Sequence, residues 1–494
     1  MTEQQSSYRQ LFKSTTIFGG VQVVIIIVSI IKSKLIAILL GPTGMGIHGL
    51  FMGTINFIKA LTEFGLERSA VKNIAAANGT NDTQRISTVI KVLKRLVWGT
   101  GLLGAFFTLI FSSYLSQLTF GDKEYTIAFI WLSITLMFNQ LIAGEKAILR
   151  GLREIRLMAK ASLWGSISGL IISIPIYYFW RLEGIAPAII ITAISTFIVT
   201  YYHSKKVKLD NVKLKKNDYV TEGKDMLKMG FFLSLNSLTV LGTSYLVRIF
   251  IRSIGSVDDV GFYTAGFAIV NAYFGVFFTS LTTDYYPKLA SVASNNKKAN
   301  LLMNQQSEMS VLIIAPVLTI FLVFINSIIV ILYSKEFVPI NNMILWAALG
   351  IYFKAASYSL GIIFISKGDV KTLFWSDFLS NVVLLILNLI GFKYWHLEGL
   401  GWSILLSFIF TFLLTFFIVR SKYHFSYTSH FYKIFTIQLL IGISCLFTVK
   451  YIGTPFNFII GLVFILLSTI YSLNELNKRM GLKQMITNIR NRHR

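Results

Sequence analysis

The sequence predicts an all-α integral membrane protein: fourteen transmembrane helices forming two six-helix bundles in parallel repeat, plus two extra C-terminal helices. Three observations predict it. Of 494 residues, 54% are hydrophobic and only 14% charged, whereas a soluble chain needs about a quarter charged to cover its surface; mean hydropathy is +0.65. Apolar runs long enough to cross about 30 Å of hydrocarbon recur along the chain. One short motif is also written twice, WRLEGIAPA from Trp180 and WHLEGLGWS from Trp395, each between two apolar runs.

The spans fall near 12–40, 44–66, 92–116, 124–146, 156–180, 183–203, 227–252, 258–284, 308–333, 341–366, 371–394, 397–420, 431–450 and 455–474. Only GPTGM separates the first two, and its glycines and proline suit a chain reversal. The N-terminal stretch MTEQQSSYRQLFK is polar, and the apolar run after it is too long for a cleaved signal peptide, so it reads as a retained first helix. The single cysteine, Cys445, excludes disulfides within the chain and cysteine-based metal sites.

Net charge is +24, from 46 basic and 22 acidic residues. In a soluble protein that balance would suggest nucleic acid; here it follows the positive-inside rule, and no nucleic acid is expected. With the N-terminus inside, 35 of the 46 basic residues fall on that side and six on the other (Lys123, Arg181, Arg252, Lys335, Lys393, Lys450), with five within helices. Both termini are therefore expected in the cytoplasm. The organisation reads as a first bundle over 1–205, a basic cytoplasmic linker over 206–226, a second bundle over 227–422, helices thirteen and fourteen over 423–475, and a basic tail over 476–494.

The doubled motif belongs to a longer echo. Trp180 and Trp395, Leu182 and Leu397, Glu183 and Glu398, Gly184 and Gly399 are each 215 apart, as are Gly46 and Gly261, and Asn56 and Asn271. Gly41 and Gly255 differ by 214, so one residue is inserted in the second turn. Six helices per repeat return the chain to its starting side, so the two bundles share one orientation, a plan common in secondary transporters. WRLEG and WHLEG become matching outer hairpin turns, read as tryptophan anchoring plus a tight glycine turn.

Charges inside helices mark pathways, because they are costly there. The five basic ones are Lys32, Lys34, Lys59, Arg248 and Lys354. Lys34 precedes Gly41 by seven residues and Arg248 precedes Gly255 by seven, which puts both about 10 Å from the turn. This matched pair is the leading candidate to line a shared cavity, with Lys32, Lys59 and Lys354 assisting. Glu63 lies four residues after Lys59 on the same helix face, and Asp377 lies a third of the way through the eleventh helix. Glu145 and Asp284 lie near helix ends. Five bases against two acids suit an anion, above all a diphosphate. Asn56 and Asn271 read either as neutral hydrogen-bonding groups toward the substrate or as helix-packing residues. No GxxxxGK[ST] phosphate loop occurs, which argues against a primary pump. The outer loops are too short to hold a catalytic domain of the kind found in many membrane glycosyltransferases, and no enzyme is expected.

LLGPTGMGIHGLF, NAYFGVFFTSLTTDYYPKLA and LYSKEFVPINNMILWAALGIYFKAASYSLGIIFISKG together resemble the polysaccharide-exporter branch of the multidrug/oligosaccharidyl-lipid/polysaccharide superfamily, including Wzx-type O-antigen and lipid III translocases. The resemblance covers nearly the whole chain. It implies a MATE-like, V-shaped transporter in the bacterial inner membrane. Its task would be flipping undecaprenyl-diphosphate-linked oligosaccharide, with a polysaccharide polymerase and chain-length machinery as partners. On this reading Lys34 and Arg248 hold the diphosphate, Glu63 or Asp377 couples transport to a proton or sodium ion, and no other cofactor is needed. A lipid II flippase shares this chemistry. A multidrug or cation exporter of the same superfamily would favour acidic groups in its cavity.

Overall fold

The computed structural model describes residues 3–80, 82–207, 209–210, 212 and 219–480. Of the expected linker, residues 208, 211 and 213–218 lie outside the described residues, as does the basic tail beyond 480. Every regular element described is helical. In chain order they are α1 (Glu3–Thr62), α2 (Leu66–Gly79), α3 (Thr83–Ile110), α4 (Ser112–Phe120), α5 (Thr126–Gly151), α6 (Ile155–Trp180), α7 (Ile185–Ser204), α8 (Lys224–Ile254), α9 (Val257–Ala268), α10 (Phe274–Val292), α11 (Asn296–Val323), α12 (Ile325–Leu332), α13 (Asn341–Ser366), α14 (Val370–Tyr423), α15 (Ser429–Tyr451) and α16 (Phe456–Met480). A π-helical turn, Ile269–Tyr273, joins α9 to α10.

Eleven helices among the described residues are long and apolar enough to cross a membrane. Three of these are 43, 50 and 54 residues long; even the shortest, if straight, would measure about 65 Å, twice the hydrocarbon thickness. Each is broken. Gly20–Thr62 breaks at Gly41 (φ 66°, ψ −166°) inside GPTGM. Ile155–Ser204 breaks at Arg181 (φ 47°, ψ −129°) and Val370–Tyr423 at His396 (φ 47°, ψ −133°). The hydropathy windows misplace some boundaries. The third and ninth spans begin earlier than 92 and 308, at Thr83 and Asn296, and each ends before a further short helix, α4 or α12. Both starts are set by polar caps that hydropathy ignores: Asp82 accepts the Arg85 amide at 2.9 Å and Asn295 the Lys298 amide at 3.2 Å.

The repeat is visible in local geometry. Both α3 and α11 have 28 residues and close on a phenylalanine in near-identical conformation, Phe111 (φ −90°, ψ 11°) and Phe324 (φ −100°, ψ 16°). The turn before α6 bonds Glu154 N to Leu149 O and Ile155 N to Arg153 O, both at 2.8 Å. The turn before α14 bonds Asp369 N to Phe364 O at 2.8 Å and Val370 N to Gly368 O at 2.9 Å, the same pattern 215 residues on. The doubled tryptophan motif now has its reason. In each copy the residue after tryptophan takes φ 47°. Three residues later the glycine lies against a carbonyl eight positions back: a Cβ would stand 2.7 Å from Ile176 O at Gly184 and 1.9 Å from Gly391 O at Gly399. Only glycine lets the hairpin close that tightly. Glu398 accepts from Trp346 Nε1 at 2.9 Å and pairs with Lys450.

Two compact units emerge from the packing: Met1–Gly261 with Leu332–Ser334, and Phe262–Ile331 with Lys335–Arg494. Within the first, the Gly41 turn meets its own echo. Thr43 Oγ1 donates to Asp258 Oδ1 at 2.6 Å. A Cβ on Gly46 would stand 2.0 Å from Val257 O, and one on Gly261 would stand 2.0 Å from Pro42 O. Pairs 42/257, 43/258 and 46/261 are each 215 apart, so the contact is reciprocal, as a local two-fold requires. Within the second unit, Asp369 caps α14 through Thr372 N at 3.2 Å. It also accepts from Lys422 Nζ at 2.9 Å and Tyr423 OH at 2.8 Å, tying both ends of α14 together.

Two predictions follow from these turns. Gly261→Val drives a branched side chain into the Pro42 carbonyl and destabilises the protein by about 1–3 kcal/mol, while His396→Gly removes a positive-φ strain of about 1 kcal/mol; thermal unfolding in detergent should order the three proteins accordingly. The Lys422 ammonium holds the Asp369 carboxyl well below the usual carboxylate range, helped by Thr372 and Tyr423. A depressed folded pKa means that the stabilisation is complete at neutral pH and is lost as pH falls below about 4. Asp369→Asn should therefore lower the unfolding midpoint at pH 7, and the difference from wild type should shrink toward pH 3.

Candidate functional site

Polar residues recur at helical spacing along five stretches of the first unit, and each stripe faces the same interior space. Before its break, α1 contributes Gln22, Ser29, Lys32 and Ser33; after it, His48, Asn56 and Lys59, with Glu63 just past its end. Helix α5 contributes Thr135, Asn139, Lys146 and Arg150, α6 contributes Ser162 and Ser166, and α7 contributes Thr192 and Thr196. Intervals of three, four and seven keep such residues on one helix face.

These stripes line three cavities. The largest, about 540 Å³, carries Lys32, His48, Lys59, Glu67, Lys146 and Arg150 in its wall. A second, about 420 Å³, shares Lys32, Lys146 and Arg150 with it and is otherwise walled by glycine, hydroxyl and aliphatic groups and Gln22. A third, about 440 Å³, shares Lys59, Glu67 and Arg150 and adds Asn56, Glu63 and Arg68. Lys32 precedes the Gly41 turn by about 14 Å of helix, and Lys59 is in the last turn of α1. The cavities therefore run from mid-helix to the end opposite that turn.

The electrostatics are one-sided. Four cations line the largest cavity against one carboxylate, counting His48 as neutral. Arg150 pairs with Glu67 at 3.3 Å and Lys59 with Glu63 at 3.6 Å. Lys32 and Lys146 make no ion pair or hydrogen bond among the described residues. A charge at mid-bilayer costs about 2.5–3.5 kcal/mol on insertion scales unless water or a counter-ion meets it. The hydroxyl and amide groups around these two ammoniums make the space wettable, and its charged lining is net positive.

The structure distributes the sequence candidates unevenly. Lys32 and Lys59 line the largest cavity, and Asn56 and Glu63 join Lys59 in the third. Lys34, half-buried, lines none of the three cavities; it is two residues from Lys32 and so about 200° around the helix. Arg248 on α8 also lines none of them, and its guanidinium donates to Ser244 O at 2.9 Å and to the Ser244 hydroxyl. The remaining three are in the second unit. Lys354 places Nζ 5.3 Å from the Phe278 ring centroid and 5.1 Å from that of Phe408, a cation–π arrangement. Asn271 lies in the π-helical turn. Asp377 is half-buried, and its backbone carbonyl accepts from Asn381 Nδ2 at 2.7 Å. Sequence reasoning missed His48, Glu67, Lys146 and Arg150. The signal was there: residues 135, 139, 146 and 150 form one stripe, hidden because hydropathy ended the fourth span at 146 whereas α5 runs to Gly151.

Residues 35–342 match the family model for polysaccharide biosynthesis proteins. The lipid III flippase of Escherichia coli K12 is 20% identical over 384 residues, covering 75% of this chain and 88% of that protein, and that of Shigella flexneri gives the same figures. Among solved structures, the lipid II flippase MurJ in an inward closed conformation aligns with TM-score 0.69 at 15% identity, over 94% of this chain and 99% of that one. An inward-facing multidrug resistance MATE family transporter of the MOP superfamily aligns with TM-score 0.68 at 16% identity, over 82% and 95%. The fold is thus the MATE and MurJ fold, and the named relatives are flippases and transporters, not enzymes.

The cavity's charge balance makes a prediction of its own. Glu67→Gln releases Arg150 from its half-exposed partner, at a stability cost below about 1 kcal/mol. It should tighten binding of inorganic pyrophosphate two- to fivefold in calorimetric titration of the detergent-solubilised protein.

Proposed function

This chain belongs to the polysaccharide biosynthesis protein family, and from that premise we propose that it is a flippase carrying undecaprenyl-diphosphate-linked oligosaccharide from the cytoplasmic to the outer leaflet of a bacterial inner membrane by alternating access. One observation carries the reading: a cavity of about 540 Å³ within the membrane helices, lined by four cations and one carboxylate. A glycan cannot cross hydrocarbon unaided, because each hydroxyl would lose its hydrogen bonds to water. A diphosphate is harder still to move. A wet, basic cleft answers both needs, while the polyprenyl tail stays in lipid. A cationic drug would meet the wrong sign of charge, which disfavours the exporter reading.

The breaks at Gly41, Arg181 and His396 are read as outer turns, dividing the eleven long segments into fourteen crossings with both termini in the cytoplasm. The positive-inside count supports that orientation. Ion coupling is assigned to Glu63, which meets Lys59 in the wall of the 440 Å³ cavity, or to Asp377 in the second unit. Lys34, Arg248, Lys354, Asn56 and Asn271 remain candidates for contacts made in other states of the transport cycle.

The test is reconstitution. Vesicles containing the purified chain should move fluorescent undecaprenyl-diphosphate-linked oligosaccharide between leaflets at least tenfold faster than empty vesicles, and should not export ethidium. Glu63→Gln or Asp377→Asn should remove any acceleration given by an imposed proton or sodium gradient. Export of ethidium without glycolipid movement would overturn the reading in favour of drug efflux.

A further inference from the structure

We infer that the corner between α4 and α5 is a catch that holds the outer half of α8 against the first bundle, and that its release admits water to the cavities from the outer side. The inference rests on the flippase reading and deepens it.

One face of α8 carries both parts. Ser234, Ser237 and Leu241 line the 440 Å³ cavity. Steps of four and seven carry the same helix face on through Tyr245 and Arg252. The wall of the cavity therefore continues, without a change of face, into the contacts that close above it. Tyr245 OH shares a hydrogen bond with Thr119 Oγ1 at 2.7 Å, and Thr119 Oγ1 meets Thr54 Oγ1 at 3.4 Å. All three residues are buried, and the Tyr245 ring stacks on Phe57 with centroids 5.4 Å apart. Two turns further out, Arg252 pairs with Asp122 at 3.6 Å. Its guanidinium lies so close over Gly121, the residue that ends α4, that a Cβ there would stand 1.8 Å from Nη1. The bond from Thr43 to Asp258 completes the closure at the tip.

The chemistry of these contacts suits a seam that parts. Hydroxyls and an ion pair that separate into water exchange one set of hydrogen bonds for another, so little is lost on opening. A seam of large apolar side chains would expose surface at a cost rising with its area. The inner end of α8 is closed in a different way. A Cβ on Gly65 would stand 2.1 Å from Gly230 O, and one on Gly230 the same distance from Phe64 O. Backbone meets backbone there, with no side-chain pair to exchange for water. Distinct closures at its two ends let α8 release one while the other stays shut. The repeat shows that the catch is an addition to the shared backbone scheme. At the offset of 214, Tyr245 corresponds to Ile31 and Arg252 to Ile38, both exposed and apolar.

The experiment uses the full chain in membrane vesicles, with Cys445→Ser to remove the native thiol and Ser237→Cys as a reporter in the cavity wall. Labelling by a membrane-impermeant maleimide is timed from each side, in right-side-out and in inverted vesicles. Tyr245→Phe, Thr119→Val and Arg252→Gln should each speed outer labelling at least fivefold without speeding inner labelling. Arg252→Lys, which keeps the charge, should stay within twofold of the parent. A protein that has merely loosened would label faster from both sides. In a second variant, Thr43→Cys with Asp258→Cys should cross-link on mild oxidation. The cross-link should slow movement of fluorescent undecaprenyl-diphosphate-linked oligosaccharide at least tenfold, and dithiothreitol should restore it. Unchanged outer labelling in all three variants, faster labelling from both sides, a cysteine pair that does not cross-link, or undiminished movement in the cross-linked protein overturns this inference and leaves the flippase reading standing. A wild-type chain that moves no glycolipid overturns the flippase reading, while the labelling rates still decide the catch.

Discussion

Two ammonium groups that line the cavities without an ion pair or hydrogen bond among the described residues, those of Lys32 and Lys146, set the terms for the rest of the first unit. Hydrocarbon cannot surround Lys32 or Lys146, because an uncompensated charge there costs several kilocalories per mole. Their neighbours must therefore be polar, and the helices that carry them must present polar stripes to one shared space instead of sealing it with leucine. That is why α6 places serines and glycines where a membrane helix would ordinarily place large apolar groups, and why α7 offers threonines opposite. The carboxylates respect the same constraint. Glu63 and Glu67 each pair closely with one cation, Lys59 and Arg150, near the end of α1 opposite the Gly41 turn, and neither makes a close ion pair with Lys32 or Lys146. Lys354 in the second unit solves the same problem differently, with its ammonium near the faces of Phe278 and Phe408. Aromatic faces attract a cation without competing for it as a carboxylate would.

The fold was largely legible in the sequence because the features that define it are one-dimensional. Apolar length marks a crossing, glycine and proline mark a reversal, and a fixed offset marks a repeat; all three survive without knowledge of packing. The break at Gly41 and the hairpins at Arg181 and His396 fall where GPTGM, WRLEG and WHLEG stand. The cavity was less legible, for two physical reasons. Hydropathy treats a charge as the end of a span, so Lys146 and Arg150 read as loop residues although α5 continues to Gly151; a helix that borders water inside a membrane has no reason to stop at its first lysine. Sequence offset, moreover, measures depth along a helix and not azimuth around it. Lys34 and Arg248 match in depth, but Lys32, two residues from Lys34, is the one that faces the cavities.

The repeat shows where function parted from architecture. Duplication left the backbone devices intact: the capped 28-residue helices, the paired turn hydrogen bonds, the two hairpins at φ 47°, and the reciprocal glycine contacts at Gly46 and Gly261. These persist because each is a steric requirement that few residues satisfy. The cavity charges have no such echo. At the offset of 215, Lys59 corresponds to Phe274, Lys146 to Gly361 and Arg150 to Ile365; at 214, Lys32 corresponds to Leu246. Phe274 is buried and packs edge-to-face on Phe321, so the counterpart of a cavity lysine has become core. The pair Lys32 and Lys146 therefore has no equivalent at the matching positions of the repeat. The asymmetry lies in four side chains, while the backbone devices repeat almost unchanged.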